Sequence, residues 1–126
     1  MDEELKPVRW VASARKDLKA FPEEARKQVG VALFRAPQGK KHERTKPLQG
    51  FGGAGVLEVV ASDDGDAFRA VYTVRFTEAV YVLHCFQKKS KSGIATPKTE
   101  IELINSRLRL AEQEHGKWLR ERNKKL

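Results

Sequence analysis

Arg69 stands in the middle of FRAVYT, an otherwise apolar, β-forming run. A guanidinium in such a place must find a carboxylate or a phosphate, because burying it unpaired is costly. Glu58, in the preceding run VLEVVAS, offers the carboxylate; a nucleic acid offers the phosphate. Downstream, EAVYVLHCFQ carries His84 and ends at Lys88, Lys89 and Lys91, and the segment ahead of VLEVVAS holds Lys40, Lys41 and Lys46. This combination suits phosphodiester cleavage in RNA without a metal. RNA brings its own nucleophile, the ribose 2′-OH, so the protein has to supply charge for the phosphate, a proton acceptor and a proton donor. Arg69, Lys88, Lys89 and His84 are the catalytic candidates, and Lys46, Lys91, Lys40 and Lys41 the RNA-binding ones. A packed strand histidine is an equal reading of His84, and Tyr72, another group able to exchange a proton, also reads as core.

Other chemistries lack their residues. His42, His84 and His115 fall in a loop, a strand and a helix, with no His-x-x-x-His and a lone cysteine, Cys85, so neither a metal site nor an internal disulfide is expected. Asp63, Asp64 and Asp66 surround Gly65 and read as turn formers. GxSxG is absent, and the glycines from Gly39 to Gly55 match neither GxxxxGK[ST] nor GxGxxG, so no cofactor is implied. Lys and Arg number 25 against 17 Asp and Glu, a formal net charge of +8, which favours a polyanionic partner. No run is long and apolar enough for a signal peptide or a membrane span, and a reducing cytoplasm is the expected setting.

The 126 residues suit one domain, with residues 116–126, GKWLRERNKKL, as a basic C-terminal extension that is docked, solvated or an arm for an anionic partner. Val8 to Val11 is a candidate edge strand. Ser13 then caps a helix over ARKDLKAF, and Pro22 opens a second one, whose buried stripe is Ala25, Val29, Ala32 or Leu33, and Ala36. Together they form a helical hairpin. Residues 38–55 read as loop. Three strands follow, VLEVVAS, AFRAVYTVR and EAVYVLHCFQ, whose short connections make an antiparallel sheet. Pairing Ser62 with Ala67 sets Val60 against Arg69 and Glu58 against Val71, while pairing Phe76 with Ala79 sets Arg69 against Phe86 and Val71 against His84. A slip of one residue moves His84 to the other face. Thr96 and Pro97 start the last helix, with Ile101, Ile104, Leu108 and Ala111 as its stripe. The expectation is an α+β domain: an N-terminal helical hairpin packed on a three- to four-stranded twisted antiparallel sheet, then a C-terminal helix.

Three stretches carry a resemblance: KPLQGFGGAGVLEV (46–59), FRAVYTVRF (68–76) and VYVLHCFQKKSKSGIATPKTEIELINSRL (80–108). They resemble the RelE/ParE superfamily of type II toxin-antitoxin toxins, and within it the HigB-type, phage-derived toxin-like branch. The resemblance implies a RelE-like fold and a ribosome-dependent endoribonuclease, an mRNA interferase that inhibits translation. It also implies a cognate helix-turn-helix, HigA-like antitoxin as partner besides mRNA on the ribosome. Arg69 matches the strand arginine of the family's R-x-V-Y motif, which contacts the scissile phosphate, and Lys88 and Lys89 match basic residues at the end of the next strand. The chain departs from the pattern in having no tyrosine after Tyr81 and only His115 as a late histidine, so that either Lys88, Lys89 or His84 transfers the proton or cleavage is slow. The other functions weighed are a ParE-like DNA gyrase inhibitor and a non-catalytic RNA-binding regulatory domain, which the same fold serves equally well.

Overall fold

The computed structural model describes residues 6–39, 42–51, 55–88 and 96–124. Its elements are β1 (Val8–Trp10), α1 (Ala14–Lys19), α2 (Glu23–Arg35), β2 (Thr45–Pro47), β3 (Val56–Asp63), β4 (Asp66–Thr73), β5 (Val80–Lys88) and α3 (Lys98–Lys124), with a 3₁₀ turn at Ala36–Gln38 after α2. The strands form one sheet in the order β1-β5-β4-β3-β2.

β4 lies at the centre and is buried on both sides, which is why its sequence hardly alternates. Phe68, Ala70 and Tyr72 join Val59, Ala61, Val82 and Cys85 under α1 and α2. Phe21 meets Phe68 there with ring centroids 5.1 Å apart, a pair worth about 0.5–1.5 kcal/mol beyond its burial. Val71, on the opposite face, packs with Tyr81, Leu83, Ile104, Leu108 and Ala111 beneath α3. Arg69 faces α3's side of the sheet, and so does Glu58.

The sheet is mixed, not wholly antiparallel, and has five strands among the described residues. β1 runs parallel to β5, pairing Val8 with Val80 and Trp10 with Val82. The chain reaches this edge from its N-terminus and turns away at Ala12, whose φ is 50°, so it enters α1 without reversing along the strand. The helical hairpin is also different from the one expected. α1 has only six residues, and Pro22 (φ −56°, ψ 151°) sets an extended corner after it, so α1 lies chiefly on β5 and α2 on β3. β2 falls inside the segment read as loop. It is three residues long and contains Pro47, whose missing N–H is tolerated at a sheet edge.

The β3–β4 register is the expected one, from Ser62↔Ala67 to Glu58↔Val71, around a turn at Asp64 (φ 50°) and Gly65 (φ 85°). β5 pairs Arg69 with Phe86 and Val71 with His84, as expected, but Tyr72 then pairs with Val82. A bulge at Leu83 takes up the extra residue, so Leu83 and His84 both serve α3's side. α3 continues past Gly116 to Lys124, so residues 116–124 are helical.

Candidate functional site

Three strands and one helix end converge on Glu58. Its inward place on β3 is fixed by alternation, with Lys46 of β2 directly opposite on one side and Val71 of β4 on the other. Arg69, two residues before Val71, reaches it diagonally: Arg69 Nη1 donates to Glu58 Oε1 at 2.6 Å. The Thr96 hydroxyl, just ahead of α3, donates to Glu58 Oε2 at 2.9 Å. Lys46 Nζ stands 4.0 Å from Oε1 at the exposed rim. Glu58 is 1% exposed and Arg69 4%, so the pair is withdrawn from bulk water, where charge interactions are strongest.

Lys88, at the end of β5, shares this surroundings and is itself 8% exposed. Burial lowers its ammonium pKa from the ordinary lysine value, and the nearby charges of Arg69 and Lys46 lower it further, against the opposing pull of Glu58. A cleft of about 240 Å³ opens beside the pair, lined by Lys46, Pro47, Leu48, Gln49, Glu58, Thr96 and Ile101. The assembly thus offers a carboxylate able to accept a proton, an arginine behind it, and an amine that yields its proton more readily than an ordinary lysine.

His84 belongs to an adjoining network. Arg107, on α3, donates to His84 Nδ1 at 3.1 Å, to the Leu83 carbonyl at 3.0 Å and to Ser13 Oγ at 3.0 Å, and Ser13 donates onward to Asp17 Oδ2 at 2.7 Å. A guanidinium only donates, so Nδ1 is the acceptor and the ring proton sits on Nε2, where it is given to Glu100 Oε2. The ring stacks on Phe86 with centroids 4.8 Å apart. Burial holds the His84 pKa below the ordinary histidine value, against the pull of Glu100 and with help from Arg107. Both ring nitrogens are engaged, and the imidazole ties the first turn of α3 to the sheet.

Of the expected site residues, the structure gathers Arg69, Lys88 and Lys46, with His84 one step away. Lys89, Lys91, Lys40 and Lys41 lie outside the described residues. Tyr72 and Cys85 face the α1–α2 layer, away from Arg69. Burial raises the Tyr72 pKa, with the Thr45 hydroxyl opposing, and pushes the Cys85 thiol up to about 12. His115 sits at the other end of β5, between the Tyr81 hydroxyl at 3.0 Å and Glu78 at 2.8 Å. Among the described residues no three His, Cys, Asp or Glu side chains come together as a metal site. No helix among them is long and apolar enough to cross a membrane.

Sequence reasoning treated Glu58 only as a partner for Arg69 and gave Thr96 the part of a helix cap. Thr96 does not cap α3; its hydroxyl turns to Glu58 and leaves Pro97 to begin the helix, the Pro97 carbonyl accepting from Ile101 N at 3.0 Å. The signal for Glu58 was present, a lone acid at an inward position of an apolar strand. Nothing in the local sequence marks Arg107 as buried, since it looks like one more cation on a basic helix.

The family of the phage-derived protein Gp49-like (DUF891) matches this chain over residues 16–109, well over half of its length and spanning Glu58, Arg69, His84, Lys88 and Thr96. No curated protein matches.

Proposed function

The chain belongs to the phage-derived Gp49-like family, and from that membership we propose that it is the toxin of a type II toxin-antitoxin system, an endoribonuclease that cuts messenger RNA on the ribosome. Membership is consistent with a toxin-antitoxin toxin. The nuclease reading is carried by one observation: a hydroxyl, that of Thr96, already donates to a buried carboxylate that an arginine holds in place. A ribose 2′-OH entering the cleft makes the same hydrogen bond.

In this mechanism Glu58 accepts the 2′-OH proton as that oxygen attacks the phosphorus. Arg69 offsets the charge that builds on the phosphoryl oxygens, and Lys46 holds the backbone at the rim. Lys88 passes its proton to the departing 5′-oxygen, a task its lowered pKa suits. The products are a 2′,3′-cyclic phosphate and a 5′-hydroxyl end. His84 positions rather than transfers, since its acceptor nitrogen is filled. A cognate helix-turn-helix antitoxin is the expected protein partner, and the cytoplasm the expected setting.

The test is to express the chain and its Glu58→Gln variant from a tight promoter and map transcript ends by capture of 5′-hydroxyls. New ends in the wild type that vanish in the folded variant support the proposal. Growth arrest with intact transcripts overturns it.

A further inference from the structure

We infer that the cleft beside Glu58 is a nucleobase subsite, which takes the base of the nucleotide whose 2′-OH meets Glu58 and reads its edge with Gln49. The inference rests on the nuclease reading for the placing of the ribose, but its own support is the shape and chemistry of the cleft. At about 240 Å³ it is smaller than the roughly 300–1,000 Å³ of sites that enclose whole drug-sized ligands, so it admits one flat fragment and not a length of chain. Pro47, Leu48 and Ile101 give it aliphatic walls. Leu48 is buried and held by backbone bonds to β3, its N–H donating to the Val56 carbonyl at 3.0 Å, and Ile101 is partly buried on the first turns of α3. The walls therefore stand on rigid elements on both sides.

The polar groups divide by position. Glu58 and Thr96 lie together at one end with Lys46 Nζ 4.0 Å from Glu58 Oε1, so the phosphate of a bound nucleotide stays by Lys46 and Arg69, whereas Pro47, Leu48 and Ile101 offer an anion no partner in place of its water. A neutral base has no such loss and gains from the aliphatic walls. Gln49 is exposed beside the edge strand and carries both an acceptor and a donor, the combination that hydrogen-bonds the edge of an unpaired base. The covalent geometry of a nucleotide completes the argument. Base and 2′-OH hang from one ribose, so a hydroxyl in the place now held by that of Thr96 sends its own base into the adjoining space. The nucleotide immediately 5′ of the cut is the one selected.

Two measurements on the full chain test this. In methyl-labelled protein, nucleoside 3′-monophosphates are expected to shift the Leu48 and Ile101 methyl resonances saturably, whereas inorganic phosphate and ribose 5-phosphate leave them in place. In transcripts cut in cells, the wild type is expected to favour particular bases 5′ of the cut, and Gln49→Ala to flatten that bias by about tenfold without changing the thermal midpoint. Methyls unmoved by any of the four nucleotides, or cutting with no bias at that position, overturn the subsite and leave the nuclease standing. Saturable shifts with uncut transcripts overturn the nuclease and leave a base-binding cleft.

Discussion

Removing either member of the Glu58–Arg69 pair leaves the other charge buried, and that sets the size of the effect. The side chains are 1% and 5% exposed, so water screens neither, and breaking such a pair costs about 3–5 kcal/mol. Against a total stability of about 5–15 kcal/mol for a domain, this is a large share. Arg69→Met or Glu58→Gln alone should therefore lower the thermal midpoint by roughly 10–20 °C, at the few degrees per kcal/mol typical of domains near this size. The double variant Glu58→Gln/Arg69→Met leaves no buried charge at these positions and should lose far less than the two single changes together. Urea unfolding followed by far-ultraviolet circular dichroism, with Trp10 and Trp118 fluorescence as a second probe, measures the four free energies of the cycle. A coupling below about 0.5 kcal/mol, or single variants that cost less than about 1 kcal/mol as surface pairs do, refutes the reasoning. The cycle also governs how activity is read: the double variant should be folded and inactive, which separates lost chemistry from lost fold.

Thr96→Val removes the hydroxyl from Glu58 Oε2 and should cost about 1.5–3 kcal/mol of stability while cleavage is retained, because the 2′-OH takes over that bond; cleavage falling as far as in Glu58→Gln would refute the stand-in role. The lowered Lys88 pKa predicts that the rate declines on the alkaline side before an ordinary lysine titrates, and that Lys88→Arg slows cleavage and removes this limb from the pH–rate profile. His84 is depressed in the folded state, so its contribution is full above an unfolded value of about 6.5 and is lost as pH falls from there toward the folded pKa. Stability measured between pH 7 and 5 should therefore fall with acid in the wild type and more shallowly in His84→Gln. Cys85, pushed up to about 12 and buried, should ignore an aromatic disulfide reagent at pH 8 until urea unfolds the chain, when one thiol per chain reacts.

The sheet was legible where the sequence alternates and where a turn pins the register. Asp64 and Gly65 fix β3 on β4, and that pairing places Glu58 and Arg69 on one face. On β5 the sequence leaves the register open; Arg69 pairs with Phe86 and Val71 with His84, but not by way of a Phe76–Ala79 pair, because the Leu83 bulge shifts the register beyond Val71. A bulge inside a uniformly apolar run leaves no mark in the pattern. β1 agrees with the edge strand expected at Val8 to Val11, whereas β2 lies in a segment read as loop; at three residues each they are too short to show a period, and their partners β5 and β3 are set by tertiary contact. α3 was recognised from Ile101 to Ala111, yet its cation-rich continuation hid a stripe that runs on to buried His115. Thr96 differs from the expected cap because the first helical bond runs from Ile101 N to the Pro97 carbonyl, one residue later, while the Thr96 hydroxyl donates to Glu58 on β3.

For the proposed cleavage the chain has no late tyrosine to accept the proton, and the hydrogen bonds around His84 and Glu58 favour one of these two over the other. His84 Nδ1 is filled by Arg107, and Nε2 carries a proton directed at Glu100, so neither nitrogen presents a lone pair to the cleft. To serve as a base, His84 must first give up Arg107, which also holds the Leu83 carbonyl of the bulge and Ser13 ahead of α1. That exchange would disturb the sheet, α1 and α3 together. Glu58 needs no such rearrangement. Each carboxylate oxygen accepts more than one hydrogen bond, the residue lines the cleft, and the bond that must break is a single one to a threonine hydroxyl that a 2′-OH replaces in kind. For the proposed cleavage the group best placed to accept the first proton is therefore Glu58, the strand carboxylate that also pairs with Arg69.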